Sequence, residues 1–378
     1  MTNIVILGAG LSGEITALAF ASKGIKTLLL EASDLKFPKD GRTIALTNLS
    51  KSFLDRIGIW SSLEPYISDI KDVYVADDFS PRMLHLSESK NNYQALGYMI
   101  ESYNLREVIH NLVLSNPLIT FKTSINYELL DSGAEGKAIL QIADNKITAD
   151  LIVICDGRNS KIRREYFVDS FYKDYQQSAL TFHVEHTKMH ENTAVEHFMN
   201  RGVFAILPLR NQYQSAIVWA EKSELAEIYK DMCPEEFLPH LQKRFGDFLG
   251  EVKVTTPIQS YPLTARITKN YYYNKLILVA DSAHNIHPLA GQGLNQGIKD
   301  IESLVSIASR NYSVGLEFDK LAGEEYERSR KSDNYAMFLL TDNLNRIFSN
   351  NIPILRHLRK VGLSMIDRMS FLKKRLVK

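Results

Sequence analysis

The stretch that most constrains the fold is NIVILGAGLSGEITALAFASKGIKTLLLE, residues 3 to 31. Ile4 to Leu7 is a short apolar run, the pattern of a strand buried on both faces of a parallel sheet. Gly8, Gly10 and Gly13 follow in GxGxxG spacing, and Glu14 to Lys23 reads as a helix of small and apolar residues. Lys26 to Leu30 is a second strand, closed by Glu31. Gly8 allows the tight turn out of the strand, Gly10 a close approach of backbone to a pyrophosphate, and Gly13 close packing of helix on strand. The helix start offers free N–H groups and a partial positive charge to phosphates. Glu31 lies eighteen residues past Gly13, where an acid accepts hydrogen bonds from ribose hydroxyls and repels a 2′-phosphate. The unit predicts a dinucleotide-binding βαβ for FAD or NAD. A glycine turn in some other α/β protein, with Glu31 a solvated strand end, explains fewer of these features.

A chain of 378 residues suggests two or three domains. A net charge of +1 gives no whole-surface attraction to nucleic acid, so no nucleic-acid partner is expected. Cys155 and Cys233 are the only cysteines and cannot build a disulfide framework, which favours a reducing compartment. The opening MTNIVILGAG lacks the basic region of a signal peptide, and no apolar run approaches the ~18 residues of a membrane span. The expectation is a cytoplasmic protein, with contact from the side on the inner face of the membrane left open.

Two further stretches separate FAD from NAD. In ADLIVICDGRNSKIRRE, Leu151 to Cys155 is an apolar strand and Asp156-Gly157 its turn. Ser160 and Arg163 follow at a spacing suited to capping and anchoring the next turn. In NKLILVADSAHNIHPLAGQGLNQGIKD, Lys275 to Ala280 is another buried strand, with Asp281 at its C-terminal end, where open α/β sheets bind ligands. Gly291 and Gly293 open a helix running to about Ser309. His284 and His287 have His-x-x-His spacing. A metal site would need two more ligands, and Pro288 disfavours helix at His287. The expectation is no metal, with both histidines satisfying loop backbone groups beside the cofactor.

GAGLSGEITAL…LLLE, CDGRNSKIRR and LVADSAHNIHPLAGQGLNQGIKDIESL resemble the three fingerprints of class A flavoprotein monooxygenases, the group similar to p-hydroxybenzoate hydroxylase. GRTIAL (41–46), QALGYMIE (94–101), FAILPL (204–209), SAIVW (215–219), YPL (261–263) and the stretch from Tyr326 to Arg368 resemble its ubiquinone-biosynthesis hydroxylases. Ala280 and Cys155 stand where that family usually has Gly and Ala, both small replacements. The resemblance implies FAD, with NADPH or NADH as electron donor and no second Rossmann domain. It implies hydroxylation of the aromatic ring of a polyprenylated phenol by O2, through a flavin C4a-hydroperoxide. Other proteins of ubiquinone biosynthesis are implied as partners in a complex. The cofactor-binding residues it implies are Gly8, Gly10, Leu11, Ser12, Gly13, Glu31, Ala32, Arg42, Asp156, Asp281, Pro288, Gly291, Gln292, Gly293, Leu294 and Asn295. It identifies no catalytic side chain and no ring position. An FAD-dependent reductase of a prenyl substrate and an FAD-binding scaffold are the alternatives. A halogenase is excluded by the lack of Trp-x-Trp-x-Ile-Pro.

The fold expected is α/β: a discontinuous Rossmann-like FAD-binding domain (1–70, 95–165 and 270–310), a mostly antiparallel substrate sheet (71–94 and 166–269), and C-terminal helices (311–378). Strands are expected over Ala179–His186, Ala194–Met199, Val203–Leu209 and Gln214–Ala220. In Leu355 to Lys378, eight cations interleave with apolar residues against one acid, Asp367. That is the pattern of a basic amphipathic helix on an anionic membrane surface, or of a terminal helix packed on the protein with a solvated basic face.

Overall fold

A computed structural model of the protein describes residues 3–77, 80–88, 95–199, 202–287 and 291–348. Pro288 and the basic stretch Leu355–Lys378 lie outside these residues. The chain opens with β1 (Ile4–Leu7), α1 (Leu11–Ala21) and β2 (Thr27–Leu30), then β3 (Thr43–Leu46), α2 (Asn48–Arg56) and α3 (Trp60–Leu63). β4 (Ser68–Ile70), β5 (Asp72–Asp77), β6 (Ser80–Ser87), β7 (Gly97–Glu101) and α4 (Ser102–Ser115) follow. Next come β8 (Ile119–Lys122), β9 (Tyr127–Asp131), β10 (Ala138–Ile142), β11 (Asn145–Ala149), β12 (Leu151–Ile154) and α5 (Lys161–Tyr166). The middle of the chain is β13 (Ser170–His186), β14 (Thr193–Met199), β15 (Gly202–Pro208), β16 (Gln214–Lys222), α6 (Ser223–Asp231) and α7 (Pro234–Phe245). It closes with β17 (Val252–Val254), β18 (Gln259–Thr268), β19 (Tyr272–Tyr273), β20 (Leu276–Leu278), β21 (His284–Asn285), α8 (Gln292–Ser313) and α9 (Lys320–Phe348).

Among the described residues the first large sheet runs β19-β20-β12-β1-β2-β8, parallel except at the β19 edge. Every residue of β1, β12 and β20 is buried, as continuous apolar strands covered on both faces must be. The second runs β21-β18-β13-β16-β15-β14-β5-β6, antiparallel except where β14 and β5 run together. Its two faces differ. Phe182, Phe204 and Trp219 pack on Tyr229 of α6 and on Phe237, Leu241 and Phe245 of α7. The other face carries Ala179, Ala220 and Leu263 in one cluster and Ala265 and Ile267 in another, the latter against Phe338 of α9. Large rings on one side and small side chains on the other make a sheet that is sealed behind and roomy in front.

Three expectations are corrected. α1 begins at Leu11 rather than Glu14, because Gly10 already serves as N-cap and Gly13 lies inside the helix. The strand expected over Lys275–Ala280 ends at Leu278: Ala280 turns to φ +57° and starts a 3-10 turn through Ser282. The strand expected from Ala179 begins at Ser170, its early part hidden by an irregularity between Asp174 and Gln177 with Gln176 at φ +55°.

The helices are tied to the first sheet by Asp300 of α8, which is fully buried. Its carboxylate accepts from His284 Nε2 (2.6 Å), Arg330 Nε of α9 (2.8 Å), Asn334 Nδ2 (3.1 Å) and the Ala280 N–H (3.0 Å). These partners hold its pKa below the usual carboxylate range although burial alone would raise it. Removing one partner of a buried pair leaves the others uncompensated, which costs about 3–5 kcal/mol. Asp300→Ala is therefore expected to lower the urea unfolding midpoint of the whole protein, and an unchanged midpoint would contradict this role.

Candidate active site

The C-terminal ends of four parallel strands lie in one row. Leu30, Leu7, Ile154 and Leu278 are successive partners across β2, β1, β12 and β20. Just past those ends stand Glu31, Gly8, Asp156 and Asp281, so residues up to 273 apart in sequence share one edge. That edge is where α/β sheets bind ligands.

The glycine turn is tight at both ends and open between. A Cβ on Gly8, at φ +95°, would sit 2.6 Å from the Cys155 carbonyl, and one on Gly13 would sit 1.8 Å from the Gly8 oxygen. A Cβ on Gly10 would meet nothing within 4 Å. Gly10 caps α1 without a side-chain bond, so the N–H groups of the first turn, at Leu11 and Ser12, have no helical acceptor. Glu31 is bonded within this loop. Its Oε2 accepts from Ala9 N (2.7 Å), and its Oε1 from Ser33 N (3.0 Å) and Oγ (2.7 Å). Ala32 is exposed beside it.

Ser160 Oγ accepts from Arg163 N at 3.1 Å, the expected cap of α5. Buried Arg163 donates to the Ser282 carbonyl (3.1 Å), locking the turn after β12 to the turn after β20. Burial raises the pKa of Asp156 and of Asp281, and Asp156 Oδ1 is buried without a partner. His284 differs from expectation: it meets the Asp300 carboxylate rather than a backbone group. His287 packs edge-on against Tyr175 at 4.6 Å.

α8 supplies a second helix start. Gly291 caps it in the left-handed region at φ +63°, without a side-chain bond, and Gln292, Gly293 and Leu294 form the first turn. The Asn295 side chain accepts from Thr47 N (3.0 Å) and Ser50 Oγ (2.7 Å) and donates to the Ala45 (2.8 Å) and Gly291 (3.0 Å) carbonyls. It ties the loop before α8 to the GRTIAL segment. Arg42 of that segment is half-buried, its Nε donating to Asp40 Oδ2 at 2.8 Å and its plane over Tyr261.

Sequence reasoning missed a cluster on α4. Arg106 lies near Arg42, Glu14 and Glu31; burial and then Arg42 lower its pKa, and its buried Nε has no partner. His110 Nδ1 and Glu14 Oε1 are 2.6 Å apart. Burial pushes Glu14 up to about 8, and burial and then Arg106 lower His110. The signal was Glu14 directly after the third glycine, where an apolar residue packs well. Two uncapped helix starts, an open glycine and a half-buried guanidinium whose Nε has no hydrogen-bond partner fit an anionic dinucleotide.

Gly10→Ala is expected to fold within about 1 kcal/mol of wild type but to lose FAD absorbance on purification, because the methyl fills the open cradle. Gly13→Ala is expected to lose both FAD and stability; equal FAD content in the two variants and wild type would refute the geometry. Glu14 gives a pH signature. An acid whose folded pKa is raised binds its proton more tightly folded, so stability falls as pH rises from about 4.5 to about 8. Glu14→Gln removes that loss, and its melting temperature is expected to exceed wild type more at pH 8 than at pH 5.

The chain matches the FAD binding domain family over residues 1–313. Ubiquinone hydroxylase UbiL of Rhodospirillum rubrum is 34% identical over 99% of this chain and 88% of its own length. The 3-demethoxyubiquinol 3-hydroxylase of Escherichia coli is 28% identical over 100% and 97%. In fold, the chain is similar to p-nitrophenol 4-monooxygenase PnpA from Pseudomonas putida, with a TM-score of 0.78 at 16% identity, covering 100% of this chain and 97% of that one. The chain therefore belongs to the FAD-binding family, within the flavin-dependent ring hydroxylases of ubiquinone biosynthesis.

Proposed function

We propose that the protein hydroxylates the aromatic ring of a polyprenylated phenol in ubiquinone biosynthesis, using FAD, O2 and NADPH or NADH. The observation that carries this reading is the row of Glu31, Gly8, Asp156 and Asp281 along one sheet edge, with the small-residue face of the second sheet beside it. FAD, when bound, supplies hydride acceptance from the nicotinamide donor and activation of O2 for transfer to an electron-rich ring.

The chain's own groups bind, orient and exclude water. Gly8, Gly10, Leu11, Ser12 and Gly13 take the pyrophosphate side, with Arg106 and Arg42 offering positive charge. Glu31 and Ala32 lie on the ribose side. Asp156 and Asp281 face the hydroxyl-bearing chain. Gly291 to Asn295 would hold the ring system, with N–H groups at a helix start able to favour negative charge there. Residues 1–70, 95–165 and 270–310 form the cofactor domain in this reading, and 71–94 with 166–269 the substrate domain. The apolar side chains of the small-residue face, Ala179, Ala220 and Leu263, would keep water from the reacting atoms. No helix among the described residues is long and apolar enough to cross a membrane. A polyprenyl tail resides in the bilayer, so surface contact through Leu355–Lys378, or through partner proteins in a complex, fits this substrate class.

The test is oxygen and NADPH or NADH consumption by the FAD-loaded protein with and without 2-prenylphenol, with product mass. Phenol-stimulated oxygen uptake and a product heavier by one oxygen are expected. Bound FAD without stimulated uptake would replace this reading by a reductase or a scaffold.

A further inference from the structure

Glu196 places a carboxyl group on the small-residue face of the second sheet, among apolar side chains. Glu196 of β14 lies between Ala194 and Phe198, and strand alternation sends all three to the same side. Ala194 packs with Ala45, Met99 and Leu207; Phe198 packs with Val75, Val203 and Leu344 of α9. The intervening Val195, and Met199 beyond, pack on the opposite face with the α6–α7 core. The cross-strand partners of Glu196 are Ala205 and Val75. Its side chain is half-buried, and among the described residues nothing hydrogen-bonds to it or pairs with its charge.

That placement costs stability, since a carboxylate among apolar side chains loses hydration without a partner. Structural carboxylates in this protein are treated otherwise. Asp300 has four donors, and Glu221 on the same sheet is paired with Arg244 at 3.2 Å. Glu196 is linked to the loop before α8 through two intervening residues, Ala194 and Ala45. Ala194 is one alternation away, about 7 Å along the strand. It shares a cluster with Ala45, whose carbonyl is held by Asn295 and whose Cβ lies 3.2 Å from the position a Cβ would take on Gly291.

We infer that Glu196 is the catalytic base of the ring hydroxylation, taking the phenolic proton of the substrate. The inference rests on the hydroxylase reading above. The phenol O–H bond breaks, its proton passes to a Glu196 oxygen, and its electron pair stays on the phenolate, enriching the ortho and para ring carbons. A hydroxyl carrying one atom of O2 then bonds to one such carbon, while the other oxygen atom, reduced by the two electrons of the nicotinamide donor, leaves as hydroxide. That carbon's hydrogen departs as a proton that turns the hydroxide into water, its C–H electron pair restores aromaticity, and Glu196 returns its proton to the phenolic oxygen and is a carboxylate again.

Burial alone pushes Glu196 up to about 7, where a base both exists ionised and holds a proton well. Among the described side chains those packed around it are apolar: β5 offers Val73 and Val75, β15 Val203 and Ala205, β3 and β7 Ala45 and Met99, and α9 Leu344, while Asp77 is the next β5 residue in that alternation, opposite Phe198. Farther along the face, Tyr175 and Lys173 of β13 are both committed to Asp342 of α9, with Arg346 on its other oxygen, and His287 packs on Tyr175.

The test compares wild type with Glu196→Gln, both FAD-loaded, on 2-prenylphenol across pH. Wild-type hydroxylation is expected to rise through pH about 7 and level off. The variant is expected to be about 100-fold slower at neutral pH. It should then gain about tenfold per pH unit toward the phenol's own pKa of about 10, with FAD content and NADPH-driven FAD reduction unchanged. Independently of turnover, the wild-type-minus-variant infrared spectrum should show a protonated carboxyl band that titrates away near pH 7. An active wild type matched by the variant in rate and pH limb, or no such band, overturns the assignment of Glu196. A wild type that makes no hydroxylated product overturns the hydroxylase reading instead. If the variant fails to load FAD, Glu196→Asp is expected to keep the pH limb at a lower rate, and its loss of the limb would count against the inference.

Discussion

A methyl group on Gly13 would stand 1.8 Å from the Gly8 oxygen, and the geometry of the site follows from that closeness. It forces α1 to start at the end of β1 rather than after a loop. Because α1 is then pressed between the sheet, α4 and α8, every residue from Gly13 to Ala21 is buried. A helix buried on every side, as α1 is apart from its first two residues, is stable only when covered all round, so the glycine contact also fixes what must surround it. α4 brings Arg106 and His110, and α8 brings the second uncapped start. The space before Gly10 stays open because the chain around it is anchored so closely.

The third fingerprint is held by a different kind of contact. Ala280 sits at φ +57°, costly for a residue with a Cβ. Two features offset that cost. Its N–H is bound by Asp300, and its methyl lies against Gly297, where a Cβ would come within 2.7 Å. The departure from the family's usual glycine is thus absorbed by α8. The same Asp300 is bound by Arg330, so the specific C-terminal stretch seen in the sequence supports the cofactor turn from behind, through α9.

What could be read from the sequence was what is local in the chain. The glycine spacing, the Ser160 cap and the helix opening at Gly291 all lie within a few residues, and each leaves a pattern. Arg106 and the Glu14–His110 contact do not, since the latter joins residues 96 apart and depends on which face α4 presents to α1. Glu196 was hidden for another reason. In AVEHFM a charged residue suggests the solvent side, and a one-residue choice of register decides which face it takes. Only the packing of Ala194 on Ala45 and Met99 and of Phe198 on Leu344, residues far away in sequence, shows that this face is turned inward. The early part of β13 was missed because its irregularity breaks the alternation.

The buried acids of this protein divide by their partners rather than by their depth. Asp300 is as buried as any, yet His284 and Arg330 keep it ionised. Glu14, Asp156 and Asp281 lack cations that fully offset burial, and each is raised. An acid in that state gains most from a hydrogen-bond donor that brings no charge, and sugar-alcohol hydroxyls are such donors. Asp156 and Asp281 stand on the strand-end row, so a polyhydroxylated ligand there would restore the carboxylates that burial disfavours. Binding would then release protons as pH falls toward the raised pKa values, coupling cofactor retention to pH with the same sign at both residues. Glu196, raised by burial on the second sheet, meets the same condition toward a phenol, whose hydroxyl is an uncharged donor.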